Sequence, residues 1–265
     1  GTTVRFALKP SETAFETEIL LALVGEGYAE YNNELVLKIQ ALPQALPAAR
    51  TNDQIRGYFD SHSFQTSGAD SWSAMPNGAR EEAGRLTRES VANGLNALNF
   101  VRYVAGIPYN VTNNETYERA VQAGTTLLTQ SDMGLTHTPD KPSDMSDEFY
   151  QLGFEGTSSS NLGQGYGNLA QAVIYGWMDD GDSRNIDRVG HRRWCLNPGM
   201  KQTGFGHSGV FTGMYAFDSS GSQETEHYNY IPWPGQNMPI EYFEGPWSVS
   251  LNPGIYSVEK TDNLT

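Results

Sequence analysis

The segment from Asp179 to Gly206 places the tightest constraint on how this chain can fold. Between Gly190 and Gly199 it contains His191, two arginines, a tryptophan and the chain's one cysteine. The residues before it carry an apolar stripe at helical spacing, which predicts an amphipathic helix: Leu169, Ala172, Val173 and Trp177. From Thr203 onward glycine alternates with other residues, and this predicts a strand that allows close backbone approach. The order is therefore a helix, an Asp/Gly-rich loop, a histidine and a strand.

A second histidine, His137, follows another predicted helix. Thr112 has the spacing of a capping box, and small or apolar residues within 120–128 line one side. This helix is expected to end near Met133 and to deliver His137. Histidines at the ends of two such elements can face each other across a cleft. His137 and His191 are then either a metal-binding pair or an acid/base pair.

The loop before His191 is rich in carboxylates. Asp180 and Asp182 are the nearest to His191 along the chain, so they are the candidate partners of its ring. A purely structural alternative is that the aspartates of this loop, Asp179 included, cap a turn and interact with solvent. The two arginines after His191 are expected to pair with aspartates of the same loop and to hold it in place.

Five motifs, in this order and spacing, resemble those of the CAP superfamily. They are Gly134-Leu135-Thr136-His137-Thr138-Pro139, Ser160-Asn161-Leu162, Ala172-Val173 with Trp177-Met178-Asp179-Asp180, Gly190-His191-Arg192-Arg193 with Leu196-Asn197-Pro198, and Thr203-Gly204-Phe205-Gly206. That superfamily comprises cysteine-rich secretory proteins, antigen 5 and pathogenesis-related 1 proteins, with bacterial SCP-like extracellular members. The resemblance covers about Glu89 to Phe217. It implies an α+β fold, a three-layer α-β-α sandwich with a central, mainly antiparallel sheet.

The resemblance also implies a cleft with two histidines and two acidic residues. His137 and His191 match the histidine positions, and Asp180 matches one acidic position. The other is the glutamate of a Gly-Glu-Asn triplet, and Ser160 stands there instead. A serine brings no negative charge and is a weaker ligand than a carboxylate, so we expect at most weak binding of a divalent metal such as zinc, unless Glu148 or Glu155 reaches the site.

Composition narrows the classes of partner. The formal net charge is −14, which argues against nucleic acid because phosphate binding needs local positive charge. No apolar run approaches the ~20 residues of a membrane span. One cysteine forms no intrachain disulfide, and we expect Cys195 to be a buried structural thiol. Eukaryotic secreted members are typically rich in disulfides, so the resemblance is to a bacterial member, with an export signal presumed removed before Gly1.

Three regions are expected. Residues 1–80 are an N-terminal extension of uncertain structure: the segment Ser11–Val24 is a helix or contains a buried strand, and the short run Leu35–Ile39 is equally ambiguous. Residues 81–218 are the CAP/SCP-like domain, whose first helix runs from about Glu89 to Ala105, and a long loop without periodicity follows from Thr138 to Ser160. Residues 219–265 are a Trp/Pro-rich extension that packs on the core.

Three functions remain open at this stage. The first is a secreted bacterial binding or interaction module whose cleft receives a small molecule, a lipid, a peptide or a cell-surface partner. The second is a metal-assisted or serine hydrolase that uses His137, His191, Asp180 and Ser160, although no nucleophile-elbow motif surrounds the serine. The third is a structural cell-surface module with a vestigial cleft. The resemblance favours a binding protein over an enzyme.

Overall fold

The computed structural model describes residues 15–22, 34–41, 49–222, 228–242 and 245–253. The strands are β1 (Phe15–Ala22), β2 (Glu34–Ala41), β3 (Trp72–Ala74), β4 (Arg85–Leu86), β5 (Thr112–Asn113), β6 (Ser160–Gln164), β7 (Gln202–Thr203), β8 (Phe205–Ser208), β9 (Phe211–Tyr215), β10 (Tyr230–Trp233) and β11 (Ser248–Leu251). The α-helices are α1 (Asn52–Ser61), α2 (Arg88–Val104), α3 (Glu115–Leu128), α4 (Asp147–Ser158), α5 (Leu169–Gln171) and α6 (Gly190–Cys195). Helix α5 continues as a π-helical segment, Ala172–Trp177, and short 3-10 helices lie at Gly78–Arg80 and Ile240–Tyr242.

A three-stranded antiparallel sheet, in the order β6-β9-β8, forms the central layer. Helix α3 packs on one face and is backed by α4, while α2 and α5 pack on the other. Alternation along β8 separates the two faces: Gly206 lies against α3, and Phe205 is fully buried against α2. A Cβ on Gly206 would lie 2.6 Å from the carbonyl carbon of Val121, so only glycine allows this approach. These layers confirm the α+β class.

Helix α2, and α5 together with its π-helical continuation, confirm the predictions from apolar periodicity. Thr87 caps α2, which ends just before Gly106 at φ +76°, a conformation that glycine adopts without strain. Asn168 caps α5 through its side chain. The indole of Trp177 donates to the carbonyl of Leu162 at 3.0 Å, which fixes this helix against β6.

Helix α3 departs from its predicted ends. Asn114, not Thr112, caps it, because Thr112 is already paired with Gln202 in the short parallel ladder between β5 and β7. The helix ends at Leu128 instead of near Met133. The hydroxyl of Thr129 donates to the carbonyl of Thr126, which ends the helical ladder one turn early.

The predicted loop from Thr138 to Ser160 was wrong in its second half, where α4 lies. Ser146 caps this helix through its side chain. Its contact with α3 is made through glycine: a Cβ on Gly153 would lie 3.0 Å from Leu127, and one on Gly156 would overlap the carbonyl oxygen of Ala120. Glycines in place of apolar side chains erase the periodic signal from which helices are predicted.

Before α2 the structure describes a pair of strands, and then helix α1 and Phe64, which join the main core. Residues 15–22 and 34–41 pair as an antiparallel hairpin, which decides for strand in both ambiguous runs, while Ser11 lies outside the described residues. Thr51 forms a capping box with Gln54 at the start of α1. Ile55 and Phe64 are buried in the main core with α2.

The described residues after 219 also contact the core. Strands β10 and β11 pair antiparallel, and Ile231 and Trp233 belong to the main hydrophobic cluster. Trp233 is 1% exposed. Across the described ranges, we find no helix with the length and apolarity required to cross a membrane.

Candidate functional site

A cavity of ≈ 250 Å³ opens beside the central sheet. Three of the four residues singled out from the sequence line it: His137, Ser160 and His191. Arg188, Trp194 and Phe217 are also among its lining residues. The structure therefore brings together side chains that come from the loop after α3, the start of β6, the start of α6 and the end of β9.

Asp180 stands behind His191 and fixes its ring. Oδ1 of Asp180 accepts a hydrogen bond from Nδ1 of His191 at 2.8 Å, and Oδ2 accepts the backbone N–H groups of His191 at 2.9 Å and of Arg192 at 3.3 Å. Asp180 is only 3% exposed. Because an ionised carboxylate can only accept, Nδ1 of His191 carries the proton, and Nε2 is the ring nitrogen left for a ligand.

His137 is held in the same manner by a different group. Its Nδ1 donates to the backbone carbonyl of Thr157 at 2.8 Å, and the hydroxyl of Thr157 donates to the carbonyl of His137 at 3.1 Å. Thr157 lies in the last turn of α4. Again the carbonyl fixes the proton on Nδ1, so Nε2 of His137 accepts when the ring is neutral. The sequence analysis did not identify Thr157 as the partner of His137 because it did not predict α4.

Ser160 is 5% exposed, and its Oγ has no hydrogen-bond partner among the described groups. It is the first residue of β6 and pairs with Tyr215 of β9. A buried hydroxyl without a partner is uncommon in folded proteins, because it forfeits the hydrogen bonds it made to water. Its position in the cavity wall marks a group that a ligand can satisfy.

Two buried side chains, Asn161 and Arg192, hold the turn and helix around His191. Asn161 donates through Nδ2 to the carbonyl of His191 at 2.9 Å and towards Sγ of Cys195 at 3.5 Å. Arg192 donates through Nε to the carbonyl of Met178 at 2.7 Å. Burial raises the pKa of the Cys195 thiol to about 12, in keeping with an inert structural cysteine.

The arginine pairing expected from the sequence is wrong for Arg192. Its guanidinium donates to backbone carbonyl groups, among them that of Asp179 at 2.6 Å, and not to the loop's carboxylates. Asp182 accepts from Arg184 N and from the side chain of Asn185. Sequence alone does not show where main-chain acceptors converge.

The backbone on both sides of the loop is unusual. Asp180 has φ +49°, and Val189, immediately before α6, has φ +41°. The left-handed region disfavours a β-branched residue such as valine. Both positions lead directly into hydrogen bonds that fix His191, so the surrounding contacts must hold this path in place.

The possible metal-ligand atoms of this site do not fit a resident zinc ion. The two Nε2 atoms and the Ser160 hydroxyl are available, but both oxygens of Asp180 are used within the protein. In the part of the chain that the structure describes, no three His, Cys, Asp or Glu residues are grouped closely enough to hold a metal. Glu148 and Glu155 are not among the residues that line the cavity. Protein zinc sites normally use at least three such ligands.

Comparison with known proteins places this geometry in a family. Residues 95–219 match the family model for the cysteine-rich secretory protein family, CAP. The match begins within α2 and ends just after β9, so it encloses all four site residues. This part of the chain therefore belongs to the CAP superfamily. No curated protein and no solved structure matches it.

Proposed function

We propose that this CAP-domain protein is an extracellular binding module, of bacterial type, whose cavity takes a small ligand. The observation that carries the proposal is the pair of fixed imidazoles. His137 and His191 each commit Nδ1 to a protein acceptor at 2.8 Å, so each keeps Nε2 for a ligand. Side chains already held in one orientation lose little conformational entropy on binding.

The cavity wall indicates the chemistry of that ligand. In its neutral form each imidazole accepts a hydrogen bond at Nε2, and the Ser160 hydroxyl both donates and accepts. Trp194 and Phe217 are 38% and 51% exposed, and their ring centroids are 4.8 Å apart. The ligand that suits this wall has several hydrogen-bond donors and one flat apolar face, as a sugar ring or a polar aromatic group does.

The size of the cavity supports a small molecule, or one residue of a larger partner, as its occupant. Pockets for drug-sized molecules enclose roughly 300–1,000 Å³. A cavity of ≈ 250 Å³ is smaller, so it accommodates a small molecule or one residue of a larger partner, and not a whole lipid. A peptide or a cell-surface glycan would therefore place one side chain or one ring in it.

A hydrolase is the second candidate because the Asp180–His191 contact resembles the orienting pair of a catalytic triad. Ser160 does not complete it: its Oγ donates to neither histidine. A nucleophilic serine needs a base within hydrogen-bond reach. The binding function therefore fits the site better, and a structural module with a vestigial cleft would leave the fixed imidazoles unexplained.

Histidine-selective NMR tests the proposal. The protein is labelled with ¹⁵N-histidine and screened against monosaccharides, disaccharides, aromatic polyols and short peptides. A ligand should shift the Nε2 signals of His137 and His191, and the His137 shift should disappear when the ligand is added to the His191→Ala protein. His62→Ala is the matched control, because His62 lies outside the cavity lining at the end of α1.

The screen also separates the three candidates. Saturable binding with no turnover supports the proposed module. Hydrolysis of an ester or peptide that is lost in Ser160→Ala would replace it with the hydrolase. If no compound moves either imidazole signal, or if binding survives in both His137→Ala and His191→Ala, the cavity is not the binding site.

A further inference from the structure

A segment that follows the CAP match contacts Arg192, next to His191 of the candidate site. Residues Gly245–Ser248, here called the C-terminal strap, lie well after residue 219, where the family match ends. Nη1 of Arg192 donates to the carbonyl of Pro246 at 2.5 Å and to the hydroxyl of Ser248 at 3.0 Å. Arg192 is 1% exposed, so the charged donor of these two bonds is buried.

The same guanidinium reaches the turn that carries Asp180. Its Nε donates to Met178 O at 2.7 Å, and its Nη2 donates to Asp179 O at 2.6 Å. Arg192 thus joins the strap to the two residues directly before Asp180. Since the backbone N–H of Arg192 also donates to Asp180, the strap, the turn and the start of α6 share one set of bonds.

Close packing adds a second link between the strap and the turn. A Cβ on Gly245 would overlap the carbonyl oxygen of Asp179 and lie 2.8 Å from Nη2 of Arg192. A Cβ on Gly181 would be in van der Waals contact with Pro246, at 3.4 Å. Residue 245 must therefore be glycine for the turn to keep its position.

The turn needs such support. Asp180 adopts φ +49°, which costs a non-glycine residue free energy that neighbouring contacts must offset. A small shift of the turn would move Oδ1 away from Nδ1 of His191, and hydrogen bonds weaken steeply with misalignment.

We infer that the C-terminal strap is a positioning element for the Asp180–His191 pair, acting through Arg192 and the Asp179 carbonyl. This role goes beyond the proposed function, because it holds whatever ligand the cavity takes. It also assigns to residues outside the CAP domain a part in setting the orientation of a side chain inside it. His137 is outside this chain of contacts, since Thr157 holds it from the other side.

That difference gives the test an internal reference. In the full chain with ¹⁵N-histidine, the solvent-exchange rates of the two Nδ1 protons are measured, with thermal unfolding recorded for each protein. The strap variants are Gly245→Ala, Ser248→Ala and Ser248→Thr, the last of which keeps the hydroxyl. The matched control is Gly57→Ala, because a Cβ at Gly57 meets nothing within 4 Å.

We expect Gly245→Ala and Ser248→Ala to accelerate exchange of the His191 proton by about tenfold, the effect of losing a good hydrogen bond. The His137 proton should not change, Ser248→Thr should restore the parent rate, and Gly57→Ala should leave both rates unaltered. If Gly245→Ala does not fold, the Ser248 pair decides alone. An unchanged His191 rate in folded variants overturns the inference, and so does an equal change at both histidines in step with the melting temperature.

Discussion

The carboxylate of Asp180 holds His191 twice, at 2.8 Å through the ring and at 2.9 Å through the backbone. One side chain therefore sets both the orientation of the imidazole and the start of helix α6. This coupling means that the site and the local fold cannot be altered independently at this position.

Replacing Asp180 by asparagine should weaken both. In asparagine an NH₂ group replaces one of the two carboxylate oxygens, so the N–H groups that this oxygen accepted lose their acceptor. Each buried donor left unsatisfied costs about 1–3 kcal/mol. Urea unfolding should show a loss of that size, with a shifted His191 signal in NMR. Asp187→Asn, at an exposed position in the same loop, should leave both measurements as in the parent. Equal behaviour of the two variants would contradict the role of Asp180.

The buried thiol of Cys195 predicts a pH dependence. Burial raises its folded pKa to about 12, while the unfolded thiol ionises near its ordinary value of 9.0. Above pH 9 the folded state binds the extra proton, so stability is complete below that pH and falls as the pH rises towards 12. The slope should approach about 1.4 kcal/mol per pH unit for this one group.

Urea unfolding between pH 8 and pH 10.5 compares the parent with Cys195→Ala. The variant should lose this component of the slope, although tyrosines with raised pKa values, such as Tyr58, contribute equally to both proteins. In the native parent at pH 8 the thiol should react with an aromatic disulfide reagent only as fast as the protein unfolds. Rapid native labelling would show that the cysteine is accessible and reactive.

The lowered pKa of Asp218 predicts a stability that falls as the pH decreases, the opposite of the effect of Cys195. Burial alone would raise its pKa, but hydrogen bonds from the backbone of Lys201 and Gln202 and from Ser220 lower it below the ordinary value of 3.8. The unfolded chain therefore takes up the proton first as the pH falls. The stabilisation is present above about pH 4 and is lost as the pH drops to the folded pKa.

Asp218→Asn should remove this acid-dependent part and cost about 1–3 kcal/mol at pH 7 through unsatisfied donors. Urea midpoints measured from pH 3 to pH 7 check both effects. Asp132→Asn, an exposed position, serves as the comparison. A variant that keeps the parent's acid slope would assign that slope to other carboxylates.

The close contact between α3 and α4 at Gly156 predicts that a larger residue there lowers stability and also disturbs His137. A Cβ on Gly156 overlaps the carbonyl oxygen of Ala120, so Gly156→Ala must push the helices apart, at about 1–3 kcal/mol. Thr157 is the next residue, and its carbonyl holds His137. The variant should lower the urea midpoint and shift the His137 signal. Gly57→Ala, in the open part of α1, should be neutral or slightly stabilising.

Because Ser160 stands where a carboxylate would be a stronger ligand, we expect weak zinc binding that Ser160→Glu strengthens. In calorimetry the parent should show no tight zinc binding, whereas Ser160→Glu adds a carboxylate beside two imidazoles and should bind at least about tenfold more tightly. Adding His137→Ala to that variant should abolish the gain. Sub-micromolar zinc binding by the parent would mean that another ligand completes the set.

The sequence predicted those parts of the fold whose stabilising contacts are made by apolar side chains at regular spacing. Helices α2 and α5 fall in this class, because their stripes face the main core. Helix α4 could not be found in this way, since it meets α3 through Gly153 and Gly156. The end of α3 depended on a threonine hydroxyl and a local turn, which periodicity does not record.

The candidate site shows the same division. Motif order singled out His137, Asp180, His191 and Ser160; three of them line one cavity, and Asp180 lies behind His191. What the sequence could not provide is the set of main-chain acceptors: Thr157 O behind His137, and the carbonyls around Arg192. Every residue has such a group, so only three-dimensional proximity identifies the few that matter.

The left-handed conformation of Val189 has a consequence for protein engineering. Val189→Gly would relax a β-branched residue at φ +41° and recover roughly 1–2 kcal/mol of local backbone cost. Val189 is also 9% exposed, so the same change removes a buried apolar side chain, at about 1.5–3 kcal/mol, and adds freedom to the unfolded chain. An engineer who removes the backbone strain at this position should therefore gain no heat resistance and should loosen the path into His191.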